Sequence, residues 1–243
     1  MDNLRVLLWF EAPLQSWGFD SRFWRRDTQN FPTKSGVMGL ICAAMGAGGK
    51  QRELLDNFSE LDQTVISFVR TREKVDGPEK LKQEPLLCDF QMIGSGYDEA
   101  GDWERMMIPQ KNNGQKPTGS GSKMTYRYYL QDVSFAVILE VPDHLAVEVS
   151  SALLNPVWDL YLGRKCCVPT DFIYRGTFKN EGEAIEEAAA IARSKKRIEQ
   201  FRVLQGAHVI DKNGETFTLN DVPVQFGPKK RYRDRQVSLF YAG

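Results

Sequence analysis

The chain has 243 residues, 42% of them hydrophobic and 26% charged, a balance that suits one large or two small packed domains and excludes wholesale disorder. Lys plus Arg equals Asp plus Glu, 32 against 32, and the formal net charge is zero. That excludes a generally polybasic nucleic-acid binder but not a locally basic groove, because local fields follow the distribution of charge. No run reaches the roughly 18–20 apolar residues that span a bilayer. The opening Met1-Asp2-Asn3-Leu4-Arg5 lacks a basic segment followed by an apolar one, so no secretory signal and no membrane association are expected. Cys42, Cys88, Cys166 and Cys167 show no C-x-x-C spacing. They read as free thiols of a reducing, cytoplasmic compartment. With only His144 and His208 as imidazole donors, no metal site and no cofactor are expected.

Residues 4–10, Leu-Arg-Val-Leu-Leu-Trp-Phe, predict a short buried strand. A polar, aromatic stretch runs to Asn30. Pro32-Thr33-Lys34-Ser35 then precedes an apolar run from Gly36 to Met45. A hydroxyl residue just before such a run signals an N-cap, so a helix starts near Ser35. Leu54, Leu55, Phe58 and Leu61 form one stripe on a second helix over about 50–61. Strands follow over 64–70, 133–140 and 172–178. Between the last two, Pro142-Asp143 opens an amphipathic helix to about Leu154, with Leu145, Val149, Ala152 and Leu153 inward.

The order βα-β-β-α-β is the split βαβ, or ferredoxin-like, topology, whose sheet is also the RRM platform. The stretch from 71 to 132 is too long for an ordinary connection, and it carries strand signals near 86–93 and 124–130. Between them, 109–123 contains Lys111, Lys116 and Lys123 and no acid, which predicts a β-hairpin arm with a basic tip. Beyond 180, an Ala-, Glu- and Lys-rich segment to Gln200 predicts an exposed helix. Strands near 202–210 and 215–219 flank Asn213-Gly214, a hairpin-turn signal. The tail carries Lys229, Lys230, Arg231, Arg233 and Arg235, opposed only by Asp234. The predicted class is α+β. A ferredoxin-like (RRM-like) core over 1–178 carries an inserted β-hairpin thumb at about 86–130, and 179–243 form a small C-terminal α/β extension.

No Gly-x-Ser-x-Gly, P-loop or His-Glu-x-x-His motif occurs; His144 and His208 read as capping or packing residues, and no enzyme is indicated. Five segments instead offer anion, nucleic-acid or ligand contacts. Thr33-Lys34-Ser35-Gly36-Val37-Met38-Gly39 places small residues and a cation at a helix start, which makes either an anion site or an ordinary cap. Tyr161-Leu162-Gly163-Arg164-Lys165 puts two cations after a glycine, fit for a phosphodiester or simply solvated. Gln15-Ser16-Trp17-Gly18 and Phe23-Trp24-Arg25-Arg26, with Thr28 beyond, interleave aromatics and cations as single-strand binders do, unless the rings fill core. In Thr125-Tyr126-Arg127-Tyr128-Tyr129 alternation separates Tyr126 and Tyr128 from Arg127 and Tyr129, and only one of these faces can be free.

Taken in order, these segments resemble a known family. Ala12-Pro13-Leu14-Gln15-Ser16-Trp17-Gly18, Phe31-Pro32-Thr33-Lys34-Ser35-Gly36-Val37-Met38-Gly39-Leu40, Tyr128-Tyr129-Leu130-Gln131-Asp132-Val133-Ser134-Phe135 and Tyr161-Leu162-Gly163-Arg164-Lys165-Cys166-Cys167 resemble motifs of the CasD family. This is the handle-binding Cas subunit of type I-E CRISPR Cascade. The resemblance runs from about 5 to 178 and weakens in the tail. It implies a ferredoxin-like core with a projecting thumb and non-catalytic binding of the crRNA 5′ handle. It also implies capping of the backbone filament and seating of the large, PAM-reading subunit beside the other Cascade subunits, with target DNA engaged only indirectly. Its candidate RNA-binding residues are Gln15, Ser16, Trp17, Arg26, Thr28, Thr33, Lys34 and Ser35; Lys116, Lys123, Tyr126 and Arg127 on the arm; Gly163, Arg164 and Lys165; and Arg231 and Arg233. Relatives of another subtype cleave repeat RNA, so the alternative is a metal-independent endoribonuclease. That chemistry needs a general base such as His beside the thumb, and no His lies between 75 and 143.

Overall fold

Strand β1 (Leu4–Glu11) is covered on both faces from Val6 to Phe10, which is why that stretch is an unbroken apolar run rather than an alternation. Val6, Leu8 and Phe10 enter a large core, while Leu7 and Trp9 enter a smaller one behind the sheet. The computed structural model describes residues 3–19, 21, 24–75, 77–93, 113, 115, 123–205 and 214–242. Four two-residue strands follow β1: β2 (Leu14–Gln15), β3 (Trp17–Gly18), β4 (Arg25–Arg26) and β5 (Thr28–Gln29). Helices α1 (Lys34–Ala44) and α2 (Arg52–Asp56) lead to β6 (Gln63–Lys74) and β7 (Gly77–Lys80). Then come β8 (Leu87–Ile93), β9 (Lys123–Gln131), β10 (Ser134–Val141), α3 (Asp143–Leu154) and β11 (Tyr174–Phe178). The chain closes with α4 (Glu181–Ser194), β12 (Arg197–Gln205), β13 (Glu215–Gln225) and β14 (Arg231–Tyr241).

The protein is mixed α+β. Its principal sheet has eight strands in the order β11-β1-β10-β6-β12-β14-β13, with β7 added to β6, and its pairs are antiparallel. Helices α1 and α3 pack together on one face, and α1 also touches β13. The large core therefore lies between these helices and the sheet. β8 and β9 pair antiparallel from Leu87↔Tyr129 to Ile93↔Lys123, as the base of the predicted arm requires. β9 also pairs with β2 and, in parallel, with β4, which ties the arm to the aromatic stretch after β1.

Three expectations are corrected. The second helix is only Arg52–Asp56, after which the chain turns; Leu55 and Phe58 are still buried. The helix expected to be exposed buries Ala184, Ala188 and Ala192 against Leu7, Trp9, Ile66 and Phe68. Its small residues recur every fourth position and let the helix lie close on the sheet, although the glutamates around them give the segment a polar look. Finally, β12 and β13 are not neighbours, because β14 lies between them. That position lets β14 carry Val237 and Leu239 to the large core, and the antiparallel partners are β13 and β14. Asn213 itself lies outside the described residues, as do Phe23, His208, Lys111, Lys116 and the side chain of Lys123.

Candidate nucleic-acid interface

The N-terminus of α1 resolves the choice between cap and anion site. Thr33 is extended (φ −74°, ψ 152°), and its Oγ1 accepts from Gly36 N at 3.2 Å. Val37 N donates to Thr33 O at 3.0 Å, and Lys34 N donates to Asp221 Oδ2 at 2.7 Å. These first-turn donors are met from within the protein, so the motif acts as a cap. Asp221 is gripped in turn by Arg235, whose Nε and Nη2 donate to its two oxygens at 2.6 and 2.8 Å, with both residues buried. The β13–β14 ribbon thus pins the start of α1.

Lys34 is also corrected. Its side chain is fully buried. Nζ donates to Leu61 O at 2.5 Å and to Ser59 O at 3.4 Å, and burial, aided by Arg235, pushes its pKa down to about 8. It supplies no charge to a surface ligand. Gln15 and Trp17 are likewise internal. Gln15 Nε2 donates to Val133 O at 2.9 Å and Phe10 O at 3.3 Å, and its Oε1 accepts from Trp17 Nε1 at 3.2 Å. Trp17 stacks on Phe10 with centroids 5.2 Å apart. A Cβ on Gly36 would come within 2.8 Å of the Trp17 ring, so that glycine is there for packing. Ser16 Oγ donates to Tyr128 O at 3.2 Å, and Thr28 Oγ1 accepts from Trp17 N at 2.8 Å. These polar groups are engaged within the protein, and Ser16 and Trp17 form part of the wall of a groove.

The loop after α3 is closed on itself. Leu162 N donates to Cys167 O and Cys167 N to Arg164 O, both at 2.8 Å, with Leu162 and Cys167 buried as anchors. Ser16 N donates to Leu162 O at 3.1 Å. Gly163 sits at φ +100°, and a Cβ there would overlap the Ser16 carbonyl oxygen. Only glycine fits. Arg164 lies 4.5 Å over the Tyr129 ring and donates to Arg26 O at 2.8 Å and Tyr128 O at 3.2 Å. Its planar fork therefore joins the loop to β4 and β9, contacts that hold the guanidinium in place at the groove.

Of the remaining candidates, Arg26, Lys165 and Arg231 are exposed, Ser35 and Arg127 are half-buried, and Tyr126 is exposed beside Phe90 at 5.1 Å. Arg233 donates to Ser59 O at 3.2 Å and pairs with Glu60. Arg25 is engaged by Asp27 at 2.9 Å and lies 4.8 Å over Tyr128. A groove of about 650 Å³ gathers Arg26, Ser35, Gly36, Gly39, Gly163 and Arg164 with Lys230 and Tyr232. Four segments distant in sequence thus meet on one surface. Sequence reasoning counted Lys230 only within the basic tail and passed over Tyr232. Their place is set by buried Gln225, which receives Arg52 Nε at 2.7 Å and donates to Lys229 O at 2.6 Å. A glutamine inside an apolar Val-x-Phe stretch was the available signal.

The family model described as CRISPR-associated protein (Cas_Cas5) matches residues 6–238. The chain belongs to this CRISPR-associated Cas5 family. This Cas5-family chain is 29% identical over 175 residues to the CRISPR system Cascade subunit CasD of Escherichia coli (strain K12), covering 71% of this chain and 70% of that one. Its fold matches a chain of a CRISPR RNA-guided surveillance complex with a TM-score of 0.70 at 26% identity, over 98% of this chain and 90% of the other. A crystal structure of a Cas protein matches with a TM-score of 0.54 at 24% identity, over 98% and 94%, a likeness in fold alone.

Proposed function

We propose that this Cas5-family chain is a non-catalytic subunit of a type I-E Cascade surveillance complex. It holds the crRNA 5′ handle in the groove, caps the backbone filament and helps seat the large subunit. The observation that carries this reading is the convergence of Arg26, the Gly163–Arg164 loop, the α1 start and Lys230 on one surface, in a chain similar to a named Cascade subunit. Exposed Arg26 and Lys230 supply charge for phosphates, while Arg164 and the caps hold the wall rigid. The core strands in the order β11-β1-β10-β6, with α1 and α3 between them, support a ferredoxin-like core over 1–178. The 86–130 insertion is its thumb, and 179–243 is the extension that supplies the Lys230 turn. Among the described residues the groove lining contains no imidazole, which favours holding RNA over cleaving it.

The test is native mass measurement of the tagged protein isolated from its own cells, with incubation on repeat RNA in chelator. Recovery with stoichiometric guide RNA and several partner subunits is expected, with no new RNA end. Recovery as a lone protein overturns the reading, and a discrete cyclic-phosphate product replaces it with the endoribonuclease.

A further inference from the structure

Beside the groove lies a second cavity of about 710 Å³. The two share Gly18, Ser21, Ser35, Lys230 and Tyr232 as a common wall, so a strand lying in the groove passes its mouth. The floor is the polar face of the β13–β14 ribbon, where Thr218 and Asn220 stand on β13 and Tyr232 and Asp234 on β14, with Asn220 opposite Asp234. Its charge differs from that of the groove. Asp221 is saturated by Arg235 and Lys34 N. Asp234 is exposed. Its Oδ1 accepts from Asn220 Nδ2 at 2.6 Å, which fixes the carboxylate, and its Oδ2 has no protein donor among the described residues. An open carboxylate repels phosphate and accepts from N–H groups. Tyr232, 37% exposed, offers a ring on which a base can stack.

We propose that this cavity takes one unstacked nucleobase of the bound RNA and selects an edge carrying an exocyclic amino group, which donates to Asp234 Oδ2. The inference rests on the RNA reading above and adds its base preference. A cytosine presents an N4 amino donor where a uracil presents the O4 acceptor, and an acceptor facing the carboxylate is repelled. The single acid in the basic tail thereby gains a role that a purely phosphate-binding surface would not give it.

Labelled rC10 and rU10 decamers provide the test, titrated against wild-type protein, Asp234→Asn and Arg26→Ala, with circular dichroism melts to check folding. Wild type binds rC10 at least about fivefold tighter than rU10, the lower bound for one base-edge contact. In Asp234→Asn the ratio falls to near one or inverts, because the amide can donate to O4. Arg26→Ala weakens both oligomers alike. Equal wild-type binding of the two decamers, with Arg26→Ala still weakening both, overturns the base pocket and leaves the RNA groove standing. Wild-type protein that binds neither decamer overturns both.

Discussion

On the inner wall of the groove, Gln15, Trp17, Thr33 and Lys34 are buried and hydrogen-bonded to backbone or to one another. On its rim, Arg26 and Lys230 are exposed. The wall is where the specific sequence motifs lie; the rim is a scatter of ordinary cations. The difference teaches that a motif can mark the geometry of a site rather than its ligands. A buried glutamine, a left-handed glycine and a capping threonine tolerate few substitutes, whereas a rim cation needs only charge in roughly the right place. The comparison breaks if wall substitutions leave folding intact, or if rim substitutions destroy it.

Gly163→Ala is expected to have the largest effect. It forces a side chain into left-handed backbone and onto the Ser16 carbonyl, a loss of roughly 2–4 kcal/mol from backbone strain and overpacking together. Thermal melting should show a fall of about 4–16 °C. A shift of less than a degree would mean that the loop is not locked to Ser16 and that the wall is softer than described.

Lys34 gives a test with a distinctive pH signature. Its pKa falls from 10.5 to about 8 on folding because of burial, with Arg235 adding to the effect. Below pH 8 both states carry the proton. Between pH 8 and 10.5 only the unfolded chain binds it, so unfolding takes up a proton and stability rises with pH. Over that window wild type should gain up to about 3 kcal/mol relative to Lys34→Met. The difference between the two denaturation curves cancels other groups that titrate there, such as Cys42 and Cys167, whose thiols burial pushes up to about 11. A difference that stays flat with pH would place the Lys34 ammonium in water, where it would be a candidate for the rim.

Much of the fold was legible because periodicity reports burial. The both-face burial of β1, the inward stripe of α3 and the paired β8 and β9 follow from patterns that depend only on local chain geometry. The placement of β14 between β12 and β13 was not legible, since a hairpin signal specifies a turn and not which strands will be sheet neighbours. The burial of α4 was hidden by its alanines, whose contribution comes from close approach rather than apolar area. At the site, the glycines, Thr33 and the loop cations drew notice by their types. Which way Lys34 and Arg164 point was set by partners far along the chain: Leu61 for one, Tyr129 and the Arg26 carbonyl for the other.

Lys230→Ala should have the smallest effect on folding and a clear one on binding. The residue is exposed, it lines both cavities, and its ammonium has no protein acceptor among the described residues. Removing it should change stability by less than about 0.5 kcal/mol. If it neutralises one phosphate, the slope of log K against log salt for a handle-bearing guide RNA should fall by about 0.7. Arg164→Lys sharpens the contrast, because it keeps the charge but loses the fork that lies over Tyr129 and reaches two carbonyls. A strut should lose stability on that change and a phosphate ligand should not, while the retained charge keeps the salt slope near its wild-type value in either case. If Lys230→Ala leaves the slope untouched and Arg164→Lys leaves the melting temperature untouched, the two residues have been assigned to the wrong sides of the groove. Charge-bearing contact would then belong to the inner wall.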